Sequence, residues 1–466
     1  MDYFKRTKIA SILSRPESAS DNVIVMGWVR TRRDSSNLTF LEVNDGSCLE
    51  NLQIVIDQSA VEQLFSGLAD VKLGAAVRVA GRLVPVPERK HKIEMHPAEI
   101  QIVGSSPPEY PLQKKRHSFE YLRDIAHLRP RTNTFGVINR FRSKISYAIH
   151  RYFQERGFYY VHSPVITATD AEGAGEQFWV TAFDLKKIPM TDGEIDFDKD
   201  FFGDKTFLTV SGQLEAEIMA CALGDVYTFA PTFRAENSNT SRHASEFWMI
   251  EPEMAFCDLD ENMQLAGEFL MHLFNCALRE CSEEMGFFNE RIDKGRIDVL
   301  EKIVKSKFEI MTYTQAIDVL KKAKKRFEFP VDWGVTLQAE HERYLCEEHC
   351  KAPVMVKDYP RDIKAFYMRL NDDEKTVAAV DVLVPQIGEI IGGSQREERL
   401  DVLKEQVKHY GVPEESLWWY YDLRRYGTVP HSGFGLGFAR VLMYMSGMAN
   451  IRDVIPFPRT PRNAKF

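Results

Sequence analysis

The chain has 466 residues, 44 % of them hydrophobic, and a formal net charge of −8, which suits two or three buried cores and argues against wholesale coating of nucleic acid while leaving room for local basic patches. No run of about 18 or more uncharged apolar residues is present to cross a bilayer, and the start MDYFKRTKIASILSRPES lacks the apolar stretch of a signal peptide, so no membrane association and a cytoplasmic location are expected. Seven cysteines, an odd number without a CxxC pair, fit a reducing compartment better than a disulfide framework.

Residues 1–104 are rich in short alternating runs: VIVMGWVRTR, NLTFLEVND, LENLQIVID, AAVRVAGRLV and EMHPAEIQIV. Their spacing, with turns at NDG and AGR, predicts a small barrel of about five strands. Trp28 alternates with the apolar run Val23–Val29 and is expected in its core. Residues 105–132 form a proline-punctuated connector whose Leu112–Thr132 part carries Lys114, Lys115, Arg116, Arg123, Arg129 and Arg131 against Glu120 and Asp124. Such a stretch is either a solvated linker or a hinge that contacts phosphate.

From residue 133 the pattern is that of one large α/β unit. Ile138, Phe141, Ile145, Ile149 and Phe153 recur at helical spacing, predicting an amphipathic helix of about six turns that Gly157 ends, followed by a short strand in FYYVHSP. Further on come a charged hairpin, a helix-rich stretch from about Asp260 to Glu348, a strand pair near Phe366–Leu370 and Thr376–Val384, and a glycine-rich segment from His431.

The hairpin reads VYTFAPTFRAENSNTSRHASEFWMIEPEMAF. Strand alternation puts Thr228, Ala230, Thr232 and Arg234 on one face, and Phe247, Met249, Glu251, Glu253 and Ala255 on one face of the opposing run. Paired, that side offers a guanidinium, an aromatic ring and two carboxylates to one ligand. A ring can stack on a purine, an arginine fork fits phosphate oxygens, and carboxylates can hold Mg²⁺ or an ammonium group. A surface hairpin laced with ion pairs is the plain alternative. The segment HSGFGLGFARVLMYMSG, with Arg440 opening an apolar helix, favours the nucleotide reading, since glycines admit close approach.

FRAE, RHASEF and EPE, together with GFGLGFAR, resemble motifs 2 and 3 of the class II aminoacyl-tRNA synthetases, and the helix closing in GFYYVHSP resembles motif 1 with Pro164 at its end. EGAGEQF, DKDFFGDKTFLTVSGQLEAE, GEIIGGSQREERLDVL and RDVIPFPRTPRN are similar to segments of the bacterial asparaginyl branch of the aspartyl/asparaginyl/lysyl subgroup. The resemblance implies an α+β chain: an N-terminal five-stranded OB-fold β-barrel that binds the anticodon (1–104), a linker or hinge (105–132) and a class II catalytic domain, an antiparallel sheet flanked by helices (133–466). It also implies ATP and Mg²⁺, tRNA(Asn) and L-asparagine as partners, and a homodimer formed through the motif 1 helix.

Residue roles follow from the same resemblance. Arg234 would grip the α-phosphate, Phe247 would stack on adenine with Arg440 on its other side reaching the γ-phosphate, and Glu236, Arg242 and His243 would complete the nucleotide contacts. Glu389 and Asp381 would hold Mg²⁺. Ser211, Gln213 and Glu172 would hold the α-ammonium of the amino acid, while Glu217 would accept from the carboxamide NH₂ and Arg396 donate to its oxygen. Aspartyl relatives carry a lysine where this chain has Ala216. In the barrel, Phe40 would stack on the central anticodon base, with Arg30, Arg33 and Gln53 around it.

Other signals point elsewhere. HERYLCEEHC gathers His341, Cys346, His349 and Cys350, but only the two cysteines share a helix face, short of a zinc site. The acidic insert TDGEIDFDKDFFGD reads as a solvated loop near the site, and Ala439 stands where the family generally has an acidic residue. Three other functions remain open at this point: an aspartyl enzyme, a synthetase-like RNA-binding protein without catalysis, and ammonia-dependent asparagine synthesis.

Overall fold

The computed structural model describes residues 5–60, 70–89, 91–169 and 177–466. The chain divides into two compact units, residues 1–139 and 140–466. In the first, β1 (Ser20–Asp34), β2 (Leu38–Asn44), β3 (Leu52–Asp57), β4 (Ala76–Pro85) and β5 (Ile93–Gly104) close into a barrel of order β1-β2-β3-β5-β4. Closure leaves no open sheet edge. Val25, Val29, Leu41, Val43, Ile54, Val79 and Met95 fill its interior.

Trp28 is not in that core. Val23, Val25 and Val29 take the inward phase of β1, so the intervening Trp28 stands outward and is 42 % exposed. A bulge between Val29 and Thr31 then shifts the alternation and sets Arg33 opposite Phe40. The connector belongs to the same unit, where its Arg129 is buried with the guanidinium 4.2 Å from the centroid of Phe135.

The second unit is built on an eight-stranded sheet. In chain order its strands are β6 (Tyr159–Tyr160), β7 (Asp225–Phe233), β8 (Glu246–Ala255), β9 (Glu309–Thr312), β10 (Val354–Pro360), β11 (Thr376–Val384), β12 (Gly388–Gln395) and β13 (His431–Gly437). The spatial order is β9-β10-β11-β12-β13-β8-β7-β6, antiparallel except at the two outer pairs. Phe366–Leu370, expected as a strand, makes only isolated bridges through Met368 and Leu370, and the partner of β11 on that side is β10. The stretch VMVKDYP is the stronger strand because its apolar residues pack into the core formed with Tyr313 and Leu345.

Five helices matter for the site: α1 (Asn133–Gln154), α2 (Gln213–Leu223), α3 (Leu259–Glu280), α4 (Trp418–Arg425) and α5 (Phe438–Ser446). The spacing that predicts α1 is its packing face, since Phe141, Ile145, Ile149 and Phe153 are all fully buried. Gly157, at φ +86°, takes the left-handed turn after it. An Asp258–Glu261 capping box opens α3. Phe153 stacks on Tyr227 of β7 at 4.7 Å between centroids and touches Phe269 of α3 at the same distance, tying both helices to the hairpin strand. Phe153→Ala should therefore destabilise the catalytic unit by about 3–5 kcal/mol, read as a lower urea midpoint for its unfolding transition.

Candidate active site

The hairpin pairs as strand periodicity requires, with Thr232 opposite Phe247, Ala230 opposite Met249 and Thr228 opposite Glu251. Arg234 follows directly on β7, its guanidinium 5.7 Å from the centroid of Phe247. The connecting loop is fastened at its base by Arg234 N donating to Ser245 O at 3.0 Å. Farther along, Arg242 donates to the Ile387 and Gln386 carbonyls at 2.9 and 3.3 Å. Arg440, near the start of α5, donates to Glu389 O at 3.2 Å. Together these elements enclose a cavity of about 220 Å³ lined by Arg234, Glu236, Arg242, His243, Phe247, Glu389 and Arg440. An aromatic wall ringed by three guanidiniums suits a purine nucleotide. Ala439 also lines it.

A second cavity adjoins the first, sharing Arg234, Met249, Glu389 and Gly435 with it. Its other walls carry Ser211, Gln213, Glu251, Glu253, Lys364, Asp381 and Arg396. Most of these charges meet a partner. Arg396 forks onto Glu253 through two nitrogens and donates to Ser394 Oγ at 2.6 Å. Lys364 reaches both oxygens of Asp381 at 2.8 Å. Glu251 accepts from Ser211 Oγ, from Gly212 N at 3.1 Å and from Thr228 Oγ1 at 3.2 Å, which leaves one of its four lone pairs for a ligand.

The glycine-rich strand β13 serves these side chains as well as the cavity. A Cβ on Gly433 would lie 2.3 Å from the Glu253 carboxylate, so only glycine lets that carboxylate pass to Arg396. Gly435 and Gly437 line the first cavity itself.

Glu389 and Asp381 converge at Gly392, where a Cβ would meet Glu389 Oε1 at 3.2 Å and Asp381 Oδ1 at 3.6 Å. Burial, and then the charge of Asp381, push the Glu389 carboxyl above its ordinary value. Two crowded carboxylates beside a cavity lined by guanidiniums fit a hard cation that would take its remaining ligands from phosphate oxygens and water. Among the described residues, no three His, Cys, Asp or Glu side chains form a metal cage by themselves.

Residues 119–461 match the family described as tRNA synthetases class II (D, K and N), and residues 23–103 match the OB-fold nucleic acid binding domain. The chain belongs to the class II tRNA synthetases. Asparagine–tRNA ligase of Synechocystis sp. is 57 % identical over 462 residues, covering 99 % of this chain and all of the relative. The ligase of the same name from Nostoc sp. is 59 % identical, covering 98 % of this chain and 99 % of its own length. Among solved structures, asparaginyl-tRNA synthetase from Pyrococcus horikoshii complexed with asparaginyl-adenylate superposes with a TM-score of 0.85 at 30 % identity, covering 99 % of both chains.

Within this synthetase the structure brings the six residues read as nucleotide contacts, together with Glu389, to one cavity, and Ser211, Gln213 and Arg396 to the next. Glu172 lies outside the described residues. Glu217 does not reach the cavity wall. It is fully buried beneath it, on α2, and its oxygens accept from Gln213 Nε2 at 3.1 Å, Tyr420 Oη at 2.7 and 2.9 Å, Arg424 Nη2 at 2.9 Å and His431 Nε2 at 3.0 Å. That complement uses up its acceptor capacity. Burial alone would push its carboxyl up, but Arg424 and His431 outweigh burial and hold it well below the usual carboxylate range.

On the barrel, Arg33 lies 4.7 Å over the Phe40 ring, and Gln53 donates to Glu94 Oε1 at 2.8 Å. Arg30 is turned away from them, bonded to Arg131 O and, at 2.8 Å, to Asn133 Oδ1. Lys114, Lys115 and Arg116 line a wide cavity of the same unit, while Arg129 is spent on Phe135. The acidic insert is a short exposed hairpin, Met190–Thr191 with Glu194–Ile195, followed by a turn.

Glu342, within the stretch read for zinc ligands, accepts from Glu389 N at 3.0 Å and so fixes the backbone that carries Glu389. Burial and, next, the charge of Glu389 push its carboxyl from the ordinary 4.5 up to about 7. Between those values the native chain holds a proton that the unfolded chain has released, so stability falls as pH rises through that window. Glu342→Gln keeps an acceptor without the charge. It should be more stable than the parent by about 1–3 kcal/mol at pH 8 and nearly equal to it at pH 5, as read by urea unfolding.

Proposed function

We propose that the chain ligates L-asparagine to tRNA(Asn) in two steps, through an asparaginyl-adenylate. The observation that carries the choice of amino acid is the charge balance of the second cavity. Its walls hold three cations (Arg234, Lys364, Arg396) and four carboxylates (Glu251, Glu253, Asp381, Glu389), and Lys364 and Arg396 already carry carboxylate partners. A carboxylate at the end of the substrate side chain would face the remaining lone pair of Glu251, acceptor against acceptor and like charge against like. A neutral carboxamide can accept from Arg396 and donate NH₂ to the remaining lone pair of Glu251. Ala216, where aspartyl relatives place a lysine, is buried among Val161, Ala220 and Val226 and offers no compensating cation.

In the first step Phe247 stacks on adenine while Arg234 and Arg440 neutralise the phosphates, with Glu236, Arg242 and His243 around them. The amino-acid carboxylate, its α-ammonium held by Ser211 and Gln213, attacks the α-phosphorus in line. A new O–P bond forms and pyrophosphate leaves with the electron pair of the broken P–O bond. Glu389, with Asp381, would hold Mg²⁺ against the phosphate oxygens, adding positive charge where the leaving group becomes more negative. In the second step the terminal tRNA adenosine hydroxyl attacks the activated carbonyl, and AMP departs.

The barrel contributes the Phe40 ring, with Arg33 over it and Gln53 on the neighbouring strand, for reading the anticodon loop. Lys114, Lys115 and Arg116 supply backbone contacts to the same RNA. A homodimer through α1 accounts for the apolar groups exposed on and after that helix, Tyr147, Tyr159 and Ile166. A cytoplasmic location accompanies this reading.

Pyrophosphate exchange into ATP tests this directly. Asparagine should support it at least about 100-fold better than aspartate in kcat/KM. Arg234→Ala and Arg440→Ala should each reduce it by about 100-fold or more, because each removes a charge aimed at the reacting phosphates. Equal exchange with aspartate would overturn the amide reading.

A further inference from the structure

Gln213 and Glu217 are the first and fifth residues of α2, one turn apart on the same side of the helix. Gln213 lines the amino-acid cavity; Glu217 lies behind it with no exposed surface. An ionised carboxylate can only accept hydrogen bonds, and Glu217 is held ionised by Arg424 from α4 and His431 from β13, with the Tyr420 hydroxyl as a further donor. The side-chain amide of Gln213 therefore has no choice of orientation. Its NH₂ must face Glu217, to which Nε2 donates at 3.1 Å, and its carbonyl oxygen is left for the cavity.

We infer that Glu217 is a positioning residue that acts through Gln213, locking the amide so that the cavity meets an acceptor at that point. This rests on the asparagine reading above, and assigns the α-ammonium of the substrate as the donor which that oxygen receives. Were the amide free to turn over, its NH₂ would confront the ammonium for part of the time, donor against donor. The buried groups of α4 and β13 that bind Glu217 thereby reach the substrate without touching it. A buried ion pair is weak evidence for stability by itself, since apolar pairs of similar volume often do as well. Its worth here lies in polarity: a neutral amide at 217 could accept from the Gln213 NH₂ or donate to its oxygen with equal ease, and an apolar residue could do neither.

The test is pyrophosphate exchange on the full chain, with KM for asparagine and for ATP measured separately in Glu217→Gln, Gln213→Met and the double variant. Wild-type exchange with asparagine tests the underlying reading; the differences among variants test this one. Glu217→Gln should raise the asparagine KM about 10-fold, leave the ATP KM within about 2-fold, and add nothing to the effect of Gln213→Met when the two are combined. Multiplying effects, or an unchanged asparagine KM in Glu217→Gln, would overturn the proposal. Should Glu217→Gln leave Arg424 unpaired and fail to fold, Glu217→Met with Arg424→Met removes both charges together. That pair should show the same selective rise in asparagine KM, and wild-type asparagine binding in it would equally sink the idea.

Discussion

Seven charged side chains share one chamber, and the second unit is arranged so that burying them together does not leave like charges in contact without relief. Glu253 is answered by Arg396 and Asp381 by Lys364, and below the floor Glu217 is answered by Arg424 and His431. Each ion alone would cost several kcal/mol to desolvate. Paired, they form a rigid polar lining whose surplus sign is set by which carboxylate stays open to a ligand. On the proposed reading two stay open, Glu389 to a metal ion and Glu251 to the amino acid; among the described residues Glu251 is held by a hydroxyl, a backbone N–H and a second hydroxyl and by no cation.

The sheet makes this crowding possible. Side chains from β7, β8, β11, β12 and β13 converge on one face because strand periodicity sends alternate residues the same way, and the glycines of β12 and β13 keep that face open. Gly433 is filled by the carboxylate of its neighbour on β8, Gly392 sits under the two acidic residues, and Gly435 borders both cavities. The run that reads as a ligand-approach motif therefore has a double use. Part of it admits ligand and part of it admits a neighbouring strand.

Much of this was legible from period alone. The alternation of the hairpin placed Arg234, Phe247, Glu251 and Glu253 on one side, and the helical spacing of α1 named its buried face. What local pattern could not carry was anything decided by distant packing. Glu217 reads as a substrate-facing carboxylate because nothing nearby in the chain announces that Tyr420, Arg424 and His431 will cover it. Trp28 looked like core because it stands in an apolar run, yet a closed barrel takes only every second residue inward. Glu342 fell within a stretch scanned for histidine and cysteine, and its bond to Glu389 N spans 47 residues. Phe366–Leu370 has strand composition, but β10, with its own apolar face, takes the place beside β11.

The wall between the two cavities is made of residues that face both, Arg234 and Glu389 foremost. Any ligand that draws on Arg234 from one side changes the field met by a ligand on the other, and whatever eases the repulsion around Glu389 does so for both compartments. On the proposed reading the ligands of the two cavities are thus thermodynamically linked through shared electrostatics, each altering the other's affinity by the same factor.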